Sequence, residues 1–153
     1  GRKLARALNY GFKDLDEEIE KQENSSISEI ISRKGEENFR EIESVCLKSI
    51  AELEDFVVST GGGTPCFFDN MEWMNANGIT LYLEVPEGVL WQRLSRSFSK
   101  RPLLGNKSGE ELRHLICSML SARKSFYESA CLIAKWEKLS VDAVKAMIQL
   151  NRC

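Results

Sequence analysis

The chain has 153 residues, with Lys+Arg 21 against Asp+Glu 23, a formal net charge of −2, and 42% hydrophobic and 29% charged residues. That is the composition of one globular domain, and its slightly acidic balance argues against a nucleic-acid protein, whose footprint is usually a strongly basic domain. No apolar run approaches the ~20 residues needed to span a bilayer, so a membrane protein is not expected, and no signal peptide is read; a monomer is expected, and the cysteine usage below points to the cytoplasm.

In chain order, Gly1-Arg2-Lys3-Leu4-Ala5 reads as a helix already under way, and 10–15 as the first strand candidate. Ser26, with Glu29 three residues on, has the form of a capping box opening a short helix that turns at Gly35. A longer helix is predicted over about 36–53, because Phe39, Ile42, Cys46, Ile50 and Leu53 recur every three or four residues. Strands follow at 56–59 and 79–85, then a helix entered through Pro86 and running to about Arg96. A helix over about 108–130, a strand at 131–136 and a helix over 140–150 complete the series. β-rich runs alternating with helical periods predict an α/β fold with a parallel sheet flanked by helices.

The five cysteines, at 46, 66, 117, 131 and 153, include no C-x-x-C pair and are odd in number. They suggest neither a zinc site nor a disulfide framework, and Cys46, Cys117 and Cys131 lie among apolar neighbours as small buried hydrophobes in a reducing compartment. The lone histidine, His114, reads as a surface or boundary residue.

Four features could carry chemistry. Alternation puts Asp14 and Asp16 on one side of the end of the first strand, where open parallel sheets bind ligands. Two such carboxylates repel unless a metal or a hydrogen-bonding substrate lies between them; the competing reading is a helix N-cap at Asp16. Gly61-Gly62-Gly63 follows a buried strand, and three glycines cost more chain entropy than a turn needs, which favours a loop that meets a ligand through its backbone. Between Gly88 and Gly109 there is no acidic residue, yet Arg93, Arg96, Lys100, Arg101 and Lys107 are present, as in a basic lid over polyphosphate or on a solvated basic surface. Finally, the stripe Leu112, Leu115, Ile116, Met119 continues at i+4 to Arg123, and Arg40 has Glu43 one turn on. Inward arginines need partner anions, so together these features describe a pocket for a small polar anion.

The motifs Asp14-Leu15-Asp16, Gly35 to Glu43 with Phe39-Arg40, Ser59 to Gly63, Lys100-Arg101-Pro102-Leu103-Leu104 and Arg123 to Tyr127 occur in the order and spacing of one family. The chain resembles a shikimate kinase over nearly its whole length. The resemblance implies a P-loop kinase fold of the nucleoside-monophosphate-kinase type in three layers, as a single domain over 1–153. Within it, about 17–53 would be the substrate-binding helical region and about 95–109 the lid. It implies ATP-dependent phosphorylation of shikimate to 3-phosphoshikimate, with Mg2+ and ATP. Asp16 would bind the reacting hydroxyl, Arg40 and Arg123 the carboxylate, and Gly61 and Gly62 the substrate hydroxyls, with Glu43 holding Arg40. Arg101 would act on the phosphates with the moving lid, Arg93 or Arg96 would stack on adenine with Lys138 nearby, and Asp14 would face Mg2+ through water.

In that family a first strand and a phosphate loop precede all of this, and its lysine would lie only about four residues before Gly1. The expectation is therefore a chain that begins after both, with their central strand missing from the sheet. A non-catalytic shikimate-binding paralogue is the alternative reading; a gluconate-kinase-like enzyme fits the Arg40 and glycine motifs less well.

Overall fold

The computed structural model describes residues 1–50, 54–96 and 109–151, without the side chains of 94–96 and 138. Helix α1 (Arg2–Leu8) ends on Asn9, whose left-handed φ of 59° closes the helix, since asparagine tolerates that conformation. Strand β1 (Gly11–Asp14) pairs in parallel with β2 (Phe56–Ser59), in a register that sets Gly11 against Phe56 and Asp14 against Ser59. Parallel pairing puts both carboxyl ends at one edge, and this is what gathers the site.

The first strand ends one residue sooner than predicted, and its exit corrects the sequence reading. Asp14, not Asp16, is the N-cap of α2 (Leu15–Glu23), its carboxylate accepting the Asp16 N–H at 3.1 Å. Asp14 and Asp16 are thus not two residues of one strand face, because the chain has already turned into a helix between them. Leu15 and Ile19 of that helix are fully buried, while Asp16, Glu17 and Glu18 occupy the first turn, where the helix dipole favours acids.

Helix α3 (Ile27–Ser49) opens with the predicted box: Ser26 accepts from the Glu29 N–H and Glu29 accepts from the Ser26 N–H. It breaks at Gly35, where φ is 84° and a side chain would meet open space. Beyond the break Phe39, Cys46, Leu47 and Ile50 join Leu15, Ile19 and Ile30 in the main core, against which Val58 and Trp73 pack. Removing a side chain such as Ile19 from that core would cost about 2–5 kcal/mol. Leu53, predicted to close the stripe, lies outside the described residues.

After β2 the glycine loop runs into a single 3-10 turn (Thr64–Cys66) and α4 (Asn70–Asn77), a helix without an apolar stripe that the sequence did not announce. Strand β3 (Leu81–Glu84) leads to α5 (Glu87–Arg96), and α6 (Gly109–Glu128) leads to β4 (Leu132–Lys135). The chain then makes a 3-10 turn (Trp136–Lys138) and closes with α7 (Val141–Leu150), capped by the Ser140 hydroxyl. Leu112 and Ile116 form a second core with Leu90 and Trp91.

The α/β class with parallel strands and flanking helices holds, but the described strands form two parallel pairs rather than one sheet. β3 pairs only with β4, Leu81 against Leu132 through Glu84 against Lys135, and no ladder joins β2 to β3 among the described residues. Two expectations about cysteine are also corrected. Cys46 is buried, but Cys117, inside α6 with Glu87 as its side-chain partner, is half-buried, and Cys131, just ahead of β4, is exposed with its N–H donating to Thr80 Oγ1 at 2.8 Å. His114 is exposed, as expected. No helix among the described residues is long and apolar enough to cross a membrane.

Candidate active site

The glycine loop is the hub. A methyl group built on Gly61 would stand 3.6 Å from Glu43 Oε1 and 3.7 Å from Asp16 Oδ1. One on Gly62 would stand 3.2 Å from Tyr127 Oη and 3.7 Å from Arg123 Nη1, and one on Gly63 would press on Arg40 Nη1 and Nη2 at 2.8 and 2.9 Å. Close approach therefore requires glycine at 63 and leaves little room at 62, whereas a methyl at 61 would make ordinary contacts; four charged side chains from α2, α3 and α6 converge on this backbone.

Arg40 is 6% exposed and lies between the rings of Phe67, 4.4 Å from its guanidinium carbon, and Phe39, at 5.0 Å. Its Nη1 donates to Glu43 Oε2 at 2.9 Å and its Nη2 to Glu36 Oε1 at 3.0 Å. A cation taken this far from water is tolerable only because it is paired and stacked. Glu43, 1% exposed, is held in turn by the Thr64 hydroxyl at 2.7 Å. Thr64 and Asn70 are fully buried: Asn70 donates to the Thr64 carbonyl at 2.9 Å and accepts from Ser44 at 2.7 Å. A polar chain thus runs from α4 through the 3-10 turn to Arg40.

Arg123 continues the α6 stripe as predicted, half-buried; its side chain bonds the Tyr127 phenol, and none of the ion pairs among the described residues includes it. Tyr127, one turn on, donates its phenol to the Gly62 carbonyl at 2.6 Å and stacks on Tyr82 of β3 with ring centroids 5.1 Å apart. Burial pushes the Tyr127 phenol above its ordinary pKa, so it stays a donor at neutral pH. Cys66, also half-buried, has its thiol raised by burial and sits 3.8 Å from the same carbonyl.

The structure therefore brings together Asp16, Arg40, Glu43, Gly61, Gly62 and Arg123, and adds Glu36, Thr64, Phe67 and Tyr127. Asp14 caps α2 at the same edge; it offers hard carboxylate oxygens of the kind magnesium takes, and among the described residues no group of three His, Cys, Asp or Glu is placed to enclose a metal. Arg93 stands apart on α5, its guanidinium 4.7 Å over the Trp136 ring that follows β4. Arg101, nearly all of the 95–109 stretch, and the side chains of Arg96 and Lys138 lie outside the described residues.

The shikimate kinase family model matches residues 1–150. The chain belongs to the shikimate kinase family. The shikimate kinase of Phocaeicola vulgatus is 47% identical over 91% of this chain and 79% of its own length, and that of Bacteroides fragilis is 45% identical over 99% and 89%. A crystal structure of the Bacteroides thetaiotaomicron shikimate kinase superposes with a TM-score of 0.90 at 39% identity, covering all of this chain and 90% of that one. The Acinetobacter baumannii shikimate kinase, solved in complex with shikimate, superposes at 0.84 with 32% identity over 98% and 83%. Among shikimate kinases, then, this chain presents its two inward arginines on one glycine loop, with Glu36, Glu43 and Thr64 arranged around Arg40.

Proposed function

We propose that the convergence of Arg40, Arg123 and Asp16 on Gly61-Gly62-Gly63 is a shikimate site, and that the chain transfers phosphate from ATP to shikimate, giving 3-phosphoshikimate and ADP. The observation that carries this is Arg123, met by the Tyr127 phenol rather than by a carboxylate of the described residues, beside a loop that a side chain would crowd. A planar guanidinium takes a carboxylate through two parallel N–H donors, so Arg123 and Arg40 hold the acid group of the substrate. The carbonyl of Gly62 is committed to Tyr127, which leaves the loop amides for the ring hydroxyls.

Asp16, exposed in the first turn of α2 near Gly61, orients the hydroxyl to be phosphorylated and takes its proton as the bond to phosphorus forms. Asp14 would hold Mg2+ through water, and the ion, bound with ATP, would lower the charge on the phosphates. Arg93 stacks on adenine and Arg101 supplies charge at the transferring phosphoryl group. Cytoplasmic location and a monomeric state belong to the same reading. A coupled assay of ADP release, run with and without shikimate, tests it; calorimetric shikimate binding with no shikimate-dependent ADP release would instead give a non-catalytic binding protein.

A further inference from the structure

The two acids on Arg40 are unequal. Glu43 is 1% exposed and locked by Thr64, whereas Glu36, one turn before Arg40 on the other side, is 51% exposed. Glu36 reaches only Nη2, at 3.0 Å, and the neighbouring Nε is buried without a hydrogen-bond partner. A guanidinium presents Nε and Nη2 as a fork, two parallel N–H groups matched to the two oxygens of one carboxylate. Glu36 fills half of that fork and leaves the other half desolvated and unmet, which is the costly state for a buried donor.

We propose that Glu36 is a built-in, displaceable surrogate for the substrate carboxylate, and so sets substrate affinity by competing for Arg40. An incoming carboxylate takes Nη2 and Nε together while the Glu36 side chain swings out to water, which uncovers Nε. The exchange satisfies the orphaned donor and gives up an ion pair already half in solvent. It also selects for ligands with two coplanar oxygens, since a single acceptor replaces Glu36 without completing the fork. The inference rests on Arg40 being a carboxylate-binding residue, as proposed above. Glu36 is a positioning residue here, acting only through Arg40.

Calorimetry with shikimate and with shikimate methyl ester, on the wild-type chain, Glu36→Gln and Arg40→Met, separates the possibilities. Glu36→Gln keeps the shape and removes the competing charge; it should bind shikimate about two- to fivefold more tightly, the range of an exposed ion pair, and leave the methyl ester's affinity unchanged. Equal or weaker shikimate binding by Glu36→Gln, with Arg40→Met still losing shikimate, overturns the surrogate and leaves the reading of Arg40 standing. Arg40→Met binding shikimate as the wild type does overturns both.

Discussion

Tyr127 and Gly62, 65 residues apart, are joined by a 2.6 Å hydrogen bond from phenol to carbonyl, and the same ring stacks on Tyr82. This one side chain connects the glycine loop after β2 to the β3–β4 pair. Tyr127→Phe keeps the stack and removes the bond, so it should lower stability by about 1 kcal/mol in urea denaturation and weaken shikimate binding through a loosened loop.

The two phenols also give a pH dependence. Burial is the largest cause raising both Tyr82 and Tyr127 above the ordinary value of 10.0. A raised folded pKa means the native state keeps protons that the unfolded chain releases, so stability is full below about pH 10 and falls as pH climbs through the folded values. Absorbance titration near 295 nm should show these phenols ionising late, and Tyr127→Phe should flatten the alkaline loss of stability. An alkaline slope unchanged in that variant would remove Tyr127 as a source.

Gly63 and Gly35 make a matched pair. Gly63→Ala drives a methyl onto the Arg40 guanidinium and should weaken shikimate binding at least tenfold by calorimetry, since Arg40 cannot stay between Glu43 and Phe67. Gly35→Ala meets no neighbour but has a left-handed φ, so it should cost about 1 kcal/mol of stability and leave shikimate affinity as it was.

Glu43→Ala strips a buried cation of its buried partner and should destabilise by ~3 kcal/mol. Thr64→Val removes only the hydroxyl on Glu43 and should cost about 1–2 kcal/mol, with weaker shikimate binding in a chain that still folds cooperatively. Equal losses from the two would mean that the Arg40–Glu43 pair is not the centre of the network.

Arg123→Ala should abolish calorimetric shikimate binding while the thermal transition stays within a few degrees, because no carboxylate of the described protein depends on Arg123. Unchanged affinity would detach Arg123 from the substrate.

Asp16→Asn should lower kcat by on the order of 10²-fold or more while ATP affinity changes little, as expected of a group acting on the accepting hydroxyl. Turnover at the wild-type level would take Asp16 out of the chemistry.

What was legible in the sequence was what local patterning carries. Phe56–Ser59 is a strand end to end because a short β-branched run ending in serine and glycine has few alternatives, and Ser26 with Glu29 is a cap because both halves lie within one turn. Arg123 was found by an apolar stripe that it interrupts. The cap at Asp14 was misplaced to Asp16 because alternation says which face a residue takes but not where a strand stops. α4 was missed because Asn70–Asn77 has no helical apolar period; tertiary bonds from Asn70 to Thr64 and Ser44 fix it instead. Tyr127 could have been found, lying one turn beyond Arg123, whereas Trp136 beneath Arg93 joins residues 43 positions apart and gave no signal.

The place of that last pair has an optical consequence. Of the protein's 3 tryptophans, Trp73 packs on the main core, Trp91 on the second, and Trp136 lies under the Arg93 cation, so one emission spectrum sums three separate neighbourhoods. Replacing Trp73 and Trp91 with phenylalanine would leave a single indole whose quenching follows whatever the Arg93 guanidinium does, a built-in optical gauge just beyond the end of β4.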